Sequence, residues 1–212
     1  MAFPDELRIE EIQRKSAIHP AELQIFFNKP PRLWCVGDVS LLDNKLLGIV
    51  SARRIEPDLA LATLELLQQL ASLEITFISG WHSPLEEEAL RILLTQPVRI
   101  IFCLAKSLNK FLPLPEIKSL LNEGRALVIT HCSPKAKRIS RDASLRRNHL
   151  VIALAKAVLV LSAPDGSASF KLAKAAIGLG KPVFTPEHRV NDGLLASGAL
   201  PATFENIQKV LQ

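Results

Sequence analysis

Residues 46–80, LLGIVSARRIEPDLALATLELLQQLASLEITFISG, hold one complete strand–helix–strand period. Leu46–Val50 is apolar at consecutive positions, the mark of a strand covered on both faces. After a polar turn, Leu59, Leu66, Leu67 and Leu70 fall on one helical face. Pro57 stands at the start of that helix, where its missing N–H has no partner to lose. A second apolar run, Ile75–Ser79, then ends at Gly80.

The same period repeats outward. Ser83-Pro84-Leu85-Glu86 has the form of a capping box with proline at the first helical position, which predicts a helix through Leu94. VRIIFCL (98–104), ALVIT (126–130), AVLVLS (157–162) and PVFTP (182–186) read as further strands. Helices are expected from Pro115 to about Asn122, around Ser144–Lys156 and around Ser169–Ile177. Six strands alternating with helices predict a Rossmann-like, doubly wound, mainly parallel α/β sheet, because parallel neighbours need crossover connections and these are right-handed. Residues 1–45, interrupted by Pro20, Pro30 and Pro31, are expected as a short helical extension and linker leading into a main domain over 46–212.

Composition narrows the function. No apolar run is long enough to cross a bilayer and the opening residues carry no apolar signal core, so a cytoplasmic protein is expected. Cys35, Cys103 and Cys132 are widely spaced with no paired pattern, so neither a disulfide framework nor a zinc site is expected, and no cofactor. The 26 Lys and Arg exceed the 21 Asp and Glu by 5, and the window 135–147 holds this whole excess. There Lys135, Lys137, Arg138, Arg141, Arg146 and Arg147 face the single acid Asp142. Such concentration suits a polyanionic partner.

In a sheet of this kind ligands gather beyond the carboxyl ends of the strands. The loops there supply Ser51, Arg53 and Arg54, then Ser79 and Gly80, then Lys135 and Lys137, then Gly166, Ser167 and Ser169. Small hydroxyls, guanidinium forks and helix N-termini are equipment for phosphate oxygens. Neither G-x-G-x-x-G after the first strand nor G-x-x-x-x-G-K-[ST] occurs, which removes the main support for dinucleotide oxidoreductases and P-loop NTPases. With aromatic residues at 5% and no tyrosine, a broad base-stacking platform is not expected. Glu86, Glu87 and Glu88 lie in the first turns of a helix, where the dipole accounts for them.

The order of these segments resembles the DNA-processing protein A (DprA/Smf) family. Pro31-Arg32-Leu33 through Gly37 is similar to its lead-in, Ser51-Ala52-Arg53 to its Gly-Ser-Arg turn, and Ser79-Gly80 to its Ser-Gly after the second strand. Arg147-Asn148-His149 is similar to its Arg-Asn-Arg helix and Ser167-Ala168-Ser169 to its Ser-Gly-Ser, with Asn191-Asp192-Gly193 and Ser197-Gly198-Ala199 following. The resemblance implies single-stranded DNA as partner, homodimers, loading of a RecA-type recombinase, and no enzymatic activity. Ala52, His149 and Ala168 replace family residues, and Trp81-His82-Ser83-Pro84 stands where the family carries Gly-x-Asp. Two other readings stay open: a diverged nucleotide-binding sensor, and a nucleotide hydrolase of the lysine-decarboxylase-like group. The second lacks its glutamate in the loop 163–171.

Overall fold

The structure is a computed structural model and describes residues 8–13, 19–54, 56–136 and 140–212. Lys137 and Arg138 of the basic window lie outside the described residues.

The decisive period folds as read: β3 (Leu46–Val50), α2 (Pro57–Leu70), β4 (Thr76–Ser79). It continues through α3 (Pro84–Leu94), β5 (Arg99–Leu104), α4 (Pro115–Asn122), β6 (Ala126–Thr130), α5 (Arg141–Leu154), β7 (Ala157–Val160), α6 (Ala168–Gly178) and β8 (Val183–Thr185). The C-terminal stretch adds α7 (Asp192–Ala196), β9 (Leu200–Pro201) and α8 (Phe204–Leu211). α5 starts three residues earlier than the apolar periodicity suggests, because Ser140 caps it by accepting the N–H of Ala143 at 3.0 Å.

Residues 1–45 are expected as short helices and a linker; their described residues hold a one-turn helix, α1 (Leu23–Phe26), but also two strands, β1 (Glu10–Ile12) and β2 (Leu33–Gly37). Pro30 and Pro31 bar a helix before Leu33, and the alternation of Leu33 and Cys35 toward one face suits a strand. Gly37, at φ 108°, ends β2 where a Cβ would stand 2.3 Å from the carbonyl oxygen of Ala126. Only glycine fits that backbone approach.

Among the described residues nine strands form one sheet in the order β1-β2-β6-β5-β4-β3-β7-β8-β9. From β6 to β9 all neighbours are parallel, while β2 pairs with β6, and β1 with β2, antiparallel. The chain winds outward from β3 in both directions, so the topological switch lies between β3 and β7. Both faces are covered. Leu47, Phe77, Ile100, Val128 and Leu159 pack under α2, α3, α4 and α8. Leu46, Ile78, Ile101, Leu127 and Val158 pack under α5 and α6. This two-sided burial is why the strand segments are apolar without alternation, each buried Leu, Ile or Phe contributing about 1.5–3 kcal/mol.

One polar residue stitches the far side of the switch. Asn191 is fully buried; its Oδ1 accepts the N–H of Ala163 at 2.9 Å, and its Nδ2 donates to the carbonyls of Leu161 at 3.2 Å and Pro186 at 3.1 Å. The loops after β7 and β8 are thereby joined. Asn191→Ala leaves these three backbone groups without their partner, and we expect a loss of about 3 kcal/mol. It is measured as a lower urea midpoint at unchanged slope.

Candidate nucleic-acid interface

Glu86 is the third residue of α3 and is buried. The capping box forms as the sequence predicts: Ser83 Oγ accepts the Glu86 N–H, and the Glu86 carboxylate reaches back to the N–H of Ser83. That carboxylate does more than cap. Its Oε1 accepts the N–H of Ser51 at 2.9 Å, and its Oε2 accepts the N–H of His82 at 3.1 Å and lies 3.0 Å from His82 Nδ1. It therefore ties the loop after β3 to the loop after β4.

Arg147 comes from α5 and is only 3% exposed. Its Nε donates to Asn148 Oδ1 at 2.7 Å, and its Nη2 lies 2.9 Å from His82 Nε2. The guanidinium lies against the backbone at Gly80, where a Cβ would stand 1.8 Å from Nη1. Gly80 is thus the residue that lets the arginine enter. The turn is completed by Trp81, at φ 50°, a left-handed conformation rare for a bulky residue. Trp81 is held there by its N–H on Ser79 Oγ at 3.3 Å and its indole Nε1 on the Ile101 carbonyl at 3.1 Å.

The electrostatics follow from this burial. Burial pushes the Glu86 pKa up, but the hydrogen bonds and electrostatic attraction of His82, with the positive charge of Arg147 behind them, outweigh it and hold the carboxyl below its usual range. Burial lowers the Arg147 pKa, and the Glu86 carboxylate opposes that shift. Nearby, His131 at the end of β6 is pushed down to about 4 by burial, with Arg146 and Arg147 adding to it.

A cavity of ≈ 550 Å³ opens above this network, beyond the ends of β4 and β5. Arg53, Lys106 and Arg147 bring positive charge to it against the single carboxylate Glu87, Arg91 at its edge is paired with Glu88, and Trp81, Phe102 and Phe111 bring rings to its wall. Lys106 Nζ stands 5.6 Å from the centre of the Phe111 ring, a cation–π contact.

The expected site residues divide. Arg53, Gly80 and Arg147 line one cavity. Ser51 and Ser79 are buried beneath it and serve the turns, while Arg54 is exposed and paired with Glu56 at 3.2 Å. Lys135 and Arg146 are exposed, near the end of β6 and on α5. Gly166, Ser167 and Ser169 lie apart from the cavity, around the start of α6. There Ser167 caps the helix through the Phe170 N–H at 3.1 Å, and Ser169 Oγ donates to the Ser162 carbonyl at 3.2 Å. Arg141 and Asn148 line a separate groove between α5 and α6. Sequence reasoning missed His82, Lys106 and the reach of Glu86. The capping-box spacing was the available signal for Glu86, whereas nothing local marks Lys106.

A strand-end cavity with cations at its rim, in a doubly wound sheet, is an arrangement suited to anionic ligands. The model of the DNA recombination-mediator protein A family matches residues 11–203, and the chain belongs to that family. Among solved structures it is similar to DNA processing protein A from Streptococcus pneumoniae, at TM-score 0.81 and 20% identity over 95% of this chain and 74% of that one. It is also similar to DNA processing protein A from Helicobacter pylori, whose structure concerns its single-stranded DNA binding mode, at TM-score 0.78 and 25% identity over 96% and 95% of the two chains. A molybdenum cofactor binding protein from Rippkaea orientalis shares the fold at TM-score 0.55 and 14% identity, over 79% of this chain and 95% of that one. No curated protein matches the chain.

Two outcomes test the network. Glu86→Ala strands the Ser51 and His82 N–H groups and leaves the Arg147 charge uncompensated, so we expect a loss of about 3–5 kcal/mol in urea unfolding, with Glu86→Gln losing less. Burial pushes His131 from the ordinary 6.5 down to about 4, so the unfolded chain binds the extra proton between those values. Stability should therefore rise with pH across that window, and His131→Asn should flatten the rise in thermal unfolding followed by circular dichroism.

Proposed function

We propose that this protein binds single-stranded DNA along its sugar–phosphate backbone and acts as a cytoplasmic recombination mediator, working as a homodimer that protects the strand and loads a RecA-type recombinase. The observation that carries the reading is one cavity that brings Arg53 and Lys106 together over the buried Arg147 in a member of this family. The Helicobacter pylori relative, with a similar fold over nearly its whole length, has a single-stranded DNA binding mode of its own. Arg53 makes no ion pair among the described residues and presents its guanidinium to the cleft. Phosphates are its natural partners.

The reading is one of binding, not catalysis. The Glu86 carboxylate is taken up by three backbone N–H groups and an imidazole, which leaves it poorly placed as a general base. Arg147, being buried, acts from below by setting the potential of the cleft and holding its wall. Arg53 and Lys106 are the residues that reach a ligand.

Fluorescence anisotropy with end-labelled oligothymidine tests this. The association constant should fall linearly with salt on logarithmic axes, and Arg53→Ala with Lys106→Ala should flatten the slope by about 1.4, or about 0.7 per lost phosphate contact. The same variant should weaken binding about tenfold at low salt. A slope that stays put in the variant, or duplex DNA and mononucleotides held as tightly as the single strand, refutes the assignment.

A further inference from the structure

α5 separates two cavities. Arg147 faces the one already described, and the next residue, Asn148, lines the other. This second space, ≈ 310 Å³, runs between the exposed faces of α5 and α6. Leu145, which is exposed, and the buried Leu172 line it with apolar surface, and Arg141, His149 and Lys171 line it with polar groups. No carboxylate lines it, and among the described residues neither Arg141 nor Lys171 makes an ion pair. Two exposed cations on one groove, with nothing negative lining it, favour an anion there.

Position supplies the second argument. α5 follows β6 and α6 follows β7, and both strands are parallel to their neighbours in the centre of the sheet, so both helices begin at the strand-end side. The groove therefore opens beside the strand-end cavity and leads away from it. Asn148 links the two: its Oδ1 accepts from Arg147 on one side, and its side chain borders the groove on the other. Arg141 to His149 spans roughly 12 Å along the helix, a length comparable with a short extended stretch of sugar–phosphate chain.

We infer that the groove between α5 and α6 is a second track for the phosphodiester backbone, so that a strand engaged at the strand-end cavity passes over the first turn of α5 and continues between Arg141 and Lys171. This rests on the single-stranded DNA reading and adds Lys171 and His149 to the contacts. A strand long enough to fill both tracks gains contacts that a dinucleotide cannot reach.

The test compares pTpT with an oligothymidine of roughly 16 nucleotides, the long end of common single-strand sites. The variant is Arg141→Ala with Lys171→Ala, both on exposed helix positions where alanine favours the helix, and its fold is checked by circular dichroism. For the long strand, the dissociation constant should rise about tenfold and the salt slope flatten by about 1.4. For pTpT, titrated by NMR, affinity should stay at the wild-type value. Long-strand affinity left intact, or both ligands weakened by one common factor, overturns the second track. A wild-type protein that holds neither ligand instead refutes the single-stranded DNA reading, and the second track falls with it.

Discussion

A guanidinium taken out of water needs a counter-charge and hydrogen-bond acceptors, and that requirement organises the strand-end side of this protein. Arg147 is almost fully buried, so its charge is carried by Glu86 through His82 and its Nε by Asn148. Each partner comes from a different place in the fold: Glu86 from α3, His82 from the loop after β4, Asn148 from α5 itself. The same carboxylate holds the Ser51 N–H in the loop after β3. Removing water from such a set raises the cost of any incomplete arrangement, so the loops are held in one geometry.

The sheet makes this possible because its central strands are covered on both faces, leaving only the strand ends for polar chemistry. Side chains at the ends of β3, β4 and β7 are committed to turns and caps: Ser51, Ser79 and Ser169 are all buried. Cations enter from longer side chains rooted elsewhere. Lys106 follows β5 and Arg53 follows β3, and they meet only because the parallel order sets those strand ends on one edge of the molecule.

Much of this architecture was legible from local pattern. Apolar runs with both faces buried, the proline at the head of α2 and the Ser83–Glu86 spacing each report on neighbours within a few residues. β2 was less legible, since its partner β6 lies some ninety positions away and its antiparallel pairing is a tertiary fact. The site was legible in part. Arg53, Gly80 and Arg147 could be named from their places in an ordered series of motifs, but burial decides their roles. Nothing in the residue types shows that Arg147 lies beneath the surface while Lys106 stands at the rim. Ser167 and Ser169 are suited to phosphate by chemistry, and the structure shows Ser167 capping its own helix and Ser169 donating to the Ser162 carbonyl. A serine near a helix N-terminus satisfies the backbone first, because those N–H groups are always present and a ligand is not.

The turn after β4 shows how side chains can take over from backbone. Where the family resemblance leads one to expect glycines, this chain places Trp81 in a left-handed conformation with its indole anchored on β5. A bulky residue at positive φ costs roughly 1–3 kcal/mol and persists only when its surroundings compensate. Here they do, because the ring packs in the main core against Phe102 at 6.2 Å between centroids. The Trp81 N–H folds back onto Ser79, and the His82 and Ser83 N–H groups turn toward Glu86, so these backbone donors are spent inside the protein. What remains to face an anion at this edge is side-chain charge, on long and adjustable stems. Such a surface fits the proposed contact with a phosphate chain, which is felt through charge and not through the bases it carries.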